Sequence, residues 1–401
     1  GARYTVCTGE GMIDMISRTP GPKNWVVWLV FIGQVASGAI STGALAGVAG
    51  AFAGYFIPIE PYILGWIITF IVIAIVWGGG FNIIKYVMSV LVLVIIIGVF
   101  DVAISTWPGW SAIFKGLFGF QVPDVPEWAW RERTTAPSAW GEILPLLGWA
   151  AGGFASQVWY TYWVLGAGYG MAHGRGYGKP ADPSRLAQIT TDAARKLKSW
   201  CRVVYTDAAV GLVVGSAVTA AFLIAGAGIL RPEQVAPEGK EVAFQLSSIF
   251  SARWGELGAR LYVLAGLAAM LSTLVGQFAG WPRLLADCGR ILIPGVSRHP
   301  WKKQFRFVLI LFAISNMVLV YTFQLKPVFL VQLAAVLDGL LLTPLQALAV
   351  GLVLYLVMPK MFSEETARIL KPSWIFGVGL GLAVLIFGYF CVFQIPRVIG
   401  G

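Results

Sequence analysis

Leu147-Gly148-Trp149-Ala150-Ala151-Gly152-Gly153-Phe154-Ala155-Ser156-Gln157 sits inside an apolar stretch running from about residue 142 to 170. Two adjacent glycines weaken a helix by roughly 1 kcal/mol each relative to alanine. Here they are followed closely by two polar side chains, Ser156 and Gln157. In a membrane-crossing stretch the pair falls at mid-depth, where interrupted helices of transporters offer carbonyls and helix ends to an ion. Small residues at that depth also serve close packing of neighbouring helices, and composition alone leaves both uses open. Further on, Ser156 and Tyr160 share one helical face and Gln157 and Thr161 another. Polar side chains within a membrane helix line a path or bond a neighbouring helix, so these four are candidates for a substrate path.

The rest of the chain supports a membrane setting. Of its 401 residues 58% are hydrophobic and only 12% charged, where a soluble domain carries roughly a quarter charged residues. The 48 glycines and 17 tryptophans suit helices that pack closely and anchor at interfaces. The formal charge of +10 is explained by basic residues collecting in cytoplasmic loops, not by nucleic acid. Cys7, Cys201, Cys288 and Cys391 form no C-x-x-C pair, and His173 and His299 lie far apart. A zinc centre built on His/Cys clusters is therefore excluded as a reading.

A helix needs about 20 predominantly apolar residues to cross the hydrocarbon core. Nine stretches qualify, at about 25–54, 61–77, 82–106, 142–170, 203–229, 257–281, 305–324, 327–358 and 373–395. The long stretch at 327–358 is expected to be tilted or kinked. Lys and Arg predominate in 171–202 and 283–304, whereas 107–141 and 230–256 balance their charges. The former pair is thus expected to be cytoplasmic and the latter extracytoplasmic, which also places residues 1–23 inside. That first segment reads as a polar, turn-rich cytoplasmic connection, and the tryptophans of 107–141 as anchors at the outer interface. The whole, residues 1–401, reads as one transmembrane domain of a multi-pass protein of the cell membrane, with the lipid bilayer as its first partner.

Asp338 is the other outlier, within Ala334-Ala335-Val336-Leu337-Asp338-Gly339-Leu340-Leu341. A carboxylate at the bilayer centre costs about 2.5–3.5 kcal/mol on insertion scales. It should face the bundle interior with a cation, a proton or a hydrogen-bond donor, and such residues mark pathways more often than they serve as structural bonds. Asp101 and Asp207 lie nearer helix ends, where solvation accounts for them. Ser272, Gly276 and Gly280 repeat every fourth residue, a ridge suited to close packing.

Three stretches carry a resemblance to the NRAMP family of divalent metal transporters. Thr8-Gly9-Glu10-Gly11-Met12-Ile13-Asp14-Met15-Ile16-Ser17-Arg18-Thr19-Pro20 is similar to the family's connection after its second helix. Ser272-Thr273-Leu274-Val275-Gly276-Gln277-Phe278-Ala279-Gly280 resembles its eighth-helix run S-T-L-V-G-x-x-A-G, and the diglycine stretch resembles its broken sixth helix. The resemblance implies an all-α, LeuT-like inverted repeat of five plus five helices, with helices one and six broken around the metal. It also implies that the first helix, with the family motif D-P-G-N, and most of the second lie upstream of Gly1.

By that carry-over Gly152 offers a backbone carbonyl to the metal, Ala155 stands where the family has its metal-binding methionine, and Gln157 where it has a histidine. Asp338 falls at or near a helix-ten position that is usually glutamine, and Ser41-Thr42-Gly43-Ala44-Leu45-Ala46 replaces acidic residues linked to proton movement. A thioether favours soft transition metals, so its loss leaves oxygen donors, the chemistry of Mg²⁺ or Mn²⁺. The NRAMP-related magnesium transporters share that kind of departure, and the lost histidine and carboxylates put proton coupling in question. The expected function is alternating-access transport of a divalent cation, Mn²⁺, Fe²⁺ or Mg²⁺, with Gly152, Ala155 and Asp338 at the metal. No bound cofactor is expected. A symporter of an amino acid or other small organic solute shares the fold. A membrane-embedded enzyme is disfavoured because no nucleophile–base pair or H-E-x-x-H run is evident.

Overall fold

A computed structural model describes residues 1–78, 82–119, 122–129, 138–150, 152–237, 241–323 and 327–396. Arg131, Glu132, Arg133, Glu238 and Lys240 of the charge-balanced loops, Ala151 and Lys326 lie outside the described residues. Helices account for the regular structure, and no strand occurs among the described residues. Among the described residues six helical segments are long and apolar enough to cross a membrane: Trp25–Gly54, Thr191–Ile229, Val242–Leu292 (kinked at the non-helical Gly255), Trp301–Thr322, Val328–Met361 and Trp374–Gln394. The remaining three apolar stretches depart from a single straight span in different ways. Pro61–Trp77 is shorter, and Val92–Ser105 is bent by 105° against Trp110–Phe118. The diglycine stretch is divided in two.

In chain order the elements begin with α1 (Ala2–Thr8), α2 (Met12–Ser17), α3 (Trp25–Gly54) and α4 (Pro61–Gly78). Next come α5 (Asn82–Ser105), α6 (Trp110–Phe118), α7 (Ala139–Ala150) and α8 (Phe154–Ala167). The short α9 (Pro183–Ala187) precedes α10 (Thr191–Ile229), α11 (Val242–Leu292) and α12 (Trp301–Thr322). Then α13 (Pro327–Ala334) passes through a π-helical turn, Ala335–Leu341, into α14 (Leu342–Leu352). The chain closes with α15 (Glu364–Leu370) and α16 (Trp374–Tyr389).

The hub is α3, which packs against α4, α11, α12 and α13. It contains no proline and no charged residue, so nothing interrupts its 30 residues. Small residues allow the closest approaches: a Cβ on Gly38 would strike Trp281 and Phe312, and one on Gly266 of α11 would strike Phe52. α16 is the opposite case, with no buried residue in its helical run; its exposed Trp374, Leu382 and Leu385 suit a lipid-facing surface.

Several loops read from charge are partly helical. α10 starts at Thr191, where the Thr190 side chain accepts from the Ala193 amide at 3.3 Å, and α11 continues to Leu292. Hydropathy marks where lipid touches a helix, whereas its backbone hydrogen bonds continue into water. Residues 1–17 differ most from expectation. They form α1 and α2, and Tyr4, Glu10, Met12 and Ile13 are wholly buried. Their polar groups look like loop chemistry in sequence because the partners that make burial tolerable lie far along the chain.

A candidate cation site at a helix break

Gly152 (φ 82°) and Gly153 (φ 61°, ψ 156°) separate α7 from α8. Both lie in backbone regions that residues with a Cβ rarely adopt, so this diglycine is a chain break and not only a packing device. The first amides of α8 receive no cap from Gly153, the residue just before the helix. Asp338 supplies one from another helix: its Oδ1 accepts from the Ala155 amide at 3.1 Å. The same oxygen accepts from Gln34 Nε2 of α3 at 2.8 Å. Oδ2 lies against Gly153, so closely that a Cβ there would collide with it.

Asp338 reaches the break because two backbones touch. Gly148 of α7 abuts the carbonyl of Ala335, and Gly339 abuts the carbonyl of Gly148, leaving no room for a Cβ at either glycine. The π-helical turn carries Asp338 at this crossing, as such turns often do at functional positions. The carboxylate is 3% exposed. Among the described residues no basic side chain pairs with it; its two donors are neutral.

A polar seam runs from Asp338 into the hub. Gln34 Oε1 accepts from Trp281 Nε1 of α11 at 2.6 Å. One helical turn before Trp281, Gln277 Nε2 donates to Ser41 Oγ of α3 at 3.0 Å. Among the described residues Ser37 Oγ, between Gln34 and Ser41 on the same face, is buried without a hydrogen-bond partner, as is Gln277 Oε1. Sequence reading passed over Gln34, although a lone glutamine within an apolar stretch is the same signal that drew attention to Gln157.

The path candidates diverge from Asp338. Ser156 Oγ donates to the Gly153 carbonyl at 3.1 Å and stays at the break. Gln157 Oε1 accepts from Gln346 Nε2 of α14 at 3.0 Å. Tyr160 donates to Asp207 Oδ2 of α10 at 2.6 Å. Thr161 is wholly buried, donates to Val158 O at 2.7 Å and accepts from the Met12 amide at 3.3 Å. The fold thus brings Gly152, Gly153, Ala155, Ser156 and Asp338 together, and turns Tyr160 and Thr161 toward α10 and α2. A cleft of about 380 Å³, lined in part by Asp124, Glu142 and Gln332, opens where α7 and α13 begin. Gln332 precedes Asp338 by six residues, about 9 Å along a helix axis.

The end of the bundle that holds α1 and α2 is charged and paired. Glu10 is bonded by Arg18 (2.8 and 3.0 Å), by Tyr4 and by the Ala181 amide. Arg290 Nη2 bonds Asp14 at 2.9 Å and Asp287 Oδ1 at 2.9 Å, while Tyr162 donates to Asp287 Oδ2 at 2.7 Å. Burial, then the neighbouring Asp287, push the Asp14 carboxyl up to about 7, with Arg290 opposing. These contacts put residues 1–18, the 168–181 connection and the C-terminal part of α11 at one end of the molecule.

No group of three or more His, Cys, Asp or Glu side chains able to hold a metal occurs among the described residues. A cation at the break would therefore be held by one carboxylate and by carbonyl or amide oxygens, a hard donor set.

A bundle of membrane-length helices is a multi-pass membrane protein, and one family model matches part of it. Residues 1–132 match the family model described as natural resistance-associated macrophage protein-like. That third of the chain holds α1 to α6 and stops short of the break and Asp338. No curated protein matches the chain.

Proposed function

We propose that the protein moves a divalent metal cation across its membrane by alternating access, with the cation held at the α7–α8 break by Asp338. The observation that carries this reading is a buried carboxylate, set against a diglycine break, whose partners are neutral. An ionised carboxylate at that depth needs a counter-charge, and a transported cation supplies one without a permanent basic partner. In this reading Gly152 contributes a carbonyl, Ala155 lines the site, and Ser156 and Gln157 begin the path that continues past Tyr160 and Thr161. The oxygen donor set favours a hard or borderline ion, Mg²⁺ or Mn²⁺, over a soft one. The two halves of the broken helix would then tilt against the α3–α11 hub to expose the site to one side at a time.

The test is uptake of Mn²⁺ and Mg²⁺ into liposomes holding the purified protein, measured in competition. Cation entry that an Asp338→Asn variant loses supports the reading. Entry undiminished in that variant overturns it. Ala155→Met, which adds a thioether at the break, should shift the competition several-fold toward Cd²⁺ and away from Mg²⁺. An unchanged ratio would remove Ala155 from the metal.

A further inference from the structure

α1 and α10 meet through two rungs, each made by residues one helical turn apart. Arg3 and Cys7 face Tyr205 and Cys201. In one rung Arg3 Nη1 donates to Tyr205 Oη at 2.6 Å, and Arg3 Nη2 donates to the Leu370 carbonyl. In the other, the sulfurs of Cys7 and Cys201 lie 3.7 Å apart, both buried. Arg3 is 7% exposed, has no carboxylate partner among the described residues, and its Nε is buried without a hydrogen bond. An unneutralised guanidinium beside two thiols favours a thiolate, the reactive form of cysteine. The hydrogen bond to Cys201, with burial adding to it, pushes the Cys7 thiol up, so Cys7 is the member of the pair that keeps its proton.

We propose that Cys7 and Cys201 are a redox-active dithiol, activated by Arg3, which a peroxide converts to a reversible disulfide joining α1 to α10. The Cys201 thiolate attacks one oxygen of hydrogen peroxide. An S–O bond forms, the O–O bond breaks, and the departing hydroxide takes a proton to become water. The sulfur of Cys7 then attacks the Cys201 sulfenic acid. An S–S bond forms, the S–O bond breaks, and the Cys7 proton leaves with the hydroxyl as a second water. Two thiols lose two electrons, and one peroxide is reduced to two waters. The sulfurs must close by roughly 1.7 Å to reach disulfide length, a movement within the range of side-chain rotation. In a reducing compartment such a bond is transient, as expected of a sensor and not of a structural link. The proposal stands apart from the transport reading, because it needs neither the break nor a cation.

Reduced, purified protein in lipid nanodiscs is exposed to hydrogen peroxide, alkylated with N-ethylmaleimide, digested and analysed by mass spectrometry. The expected product is a Cys7–Cys201 cross-linked peptide that dithiothreitol removes. In Cys7→Ala the intermediate has no partner, so Cys201 should instead be trapped as a sulfenic acid by dimedone. Arg3→Gln should slow oxidation at neutral pH at least tenfold, with the rate recovered at high pH, where hydroxide makes the thiolate. Absence of the cross-link while half-buried Cys391 is oxidised in the same sample overturns the dithiol. A rate indifferent to Arg3→Gln overturns its activation.

Discussion

At the charged end of the bundle, Glu10 is answered by Arg18, and Asp14 and Asp287 share Arg290. At the helix break, Asp338 is buried as they are, yet it is met only by an amide side chain and a backbone N–H. The first arrangement is finished within the protein: each carboxylate has a guanidinium, and Glu10 and Asp287 have further donors, so the charges hold α2, α8 and α11 together. The second is incomplete in charge while satisfied in geometry. A fold that places arginine beside three buried carboxylates and withholds it from the fourth separates a structural set from one that can take a charge from elsewhere.

The largest effect that can break this comparison is on stability. Arg290→Ala strands Asp14 and Asp287 in a buried site and should cost about 3–5 kcal/mol, read as a large drop in thermal midpoint. Asp338→Asn should cost less than about 1 kcal/mol in cation-free buffer, because Gln34 and the Ala155 amide keep a carbonyl acceptor. If Asp338→Asn unfolds the protein as Arg290→Ala does, the two regions are alike and Asp338 is structural.

Next in size is ligand linkage. Mn²⁺ or Mg²⁺ should raise the thermal midpoint of wild type, and the gain should vanish in Asp338→Asn, as a loss of at least about tenfold in affinity. A wild-type midpoint blind to both ions would count against the cation. Gly153→Ala sharpens the point without touching charge. It forces a Cβ onto a residue at φ 61° and against the Asp338 carboxylate, for roughly 1–3 kcal/mol of strain and lost uptake. Gly276→Ala, where a Cβ meets nothing within 4 Å, should stay within about 0.5 kcal/mol of wild type and is the control.

The smallest effect is the pH response of the charged end. The Asp14 carboxyl is raised to about 7 in the folded state, above its unfolded value of roughly 3.9. The folded state therefore holds the proton more tightly, and the contribution is fully present below about pH 4. It is lost as pH rises toward 7. Thermal midpoints should fall by a few degrees over that window in wild type and by less in Asp14→Asn. A slope identical in the two proteins would remove Asp14 from the response.

The break and Asp338 were legible in the sequence because both are local anomalies at mid-depth of apolar stretches: two adjacent glycines in one, and the single charge of the other. The long apolar helices were legible for the same reason, and a π-helical turn lies within the stretch at 327–358. Gln34 was overlooked because its role is defined by Asp338, 304 residues away. Tyr160 and Thr161 share their helix with the break, but which neighbour each meets depends on where α10 and α2 pack. Residues 1–17 read as a connection because Glu10, Asp14 and Arg18 are polar, and only Ala181 and Arg290 reveal that two of them are buried.

By itself, then, the sequence determined a helical membrane bundle, the positions of its long apolar spans, one interrupted helix and one intramembrane carboxylate. These follow from the cost of exposing polar groups to hydrocarbon, which is set residue by residue along the chain. Only the tertiary structure decided that the carboxylate meets the interruption, that its partners are neutral, and that Arg3 and Tyr205 flank a pair of cysteines 194 residues apart. Contacts of that kind depend on close approach between helices distant in sequence, and no property of either segment alone encodes the distance between them.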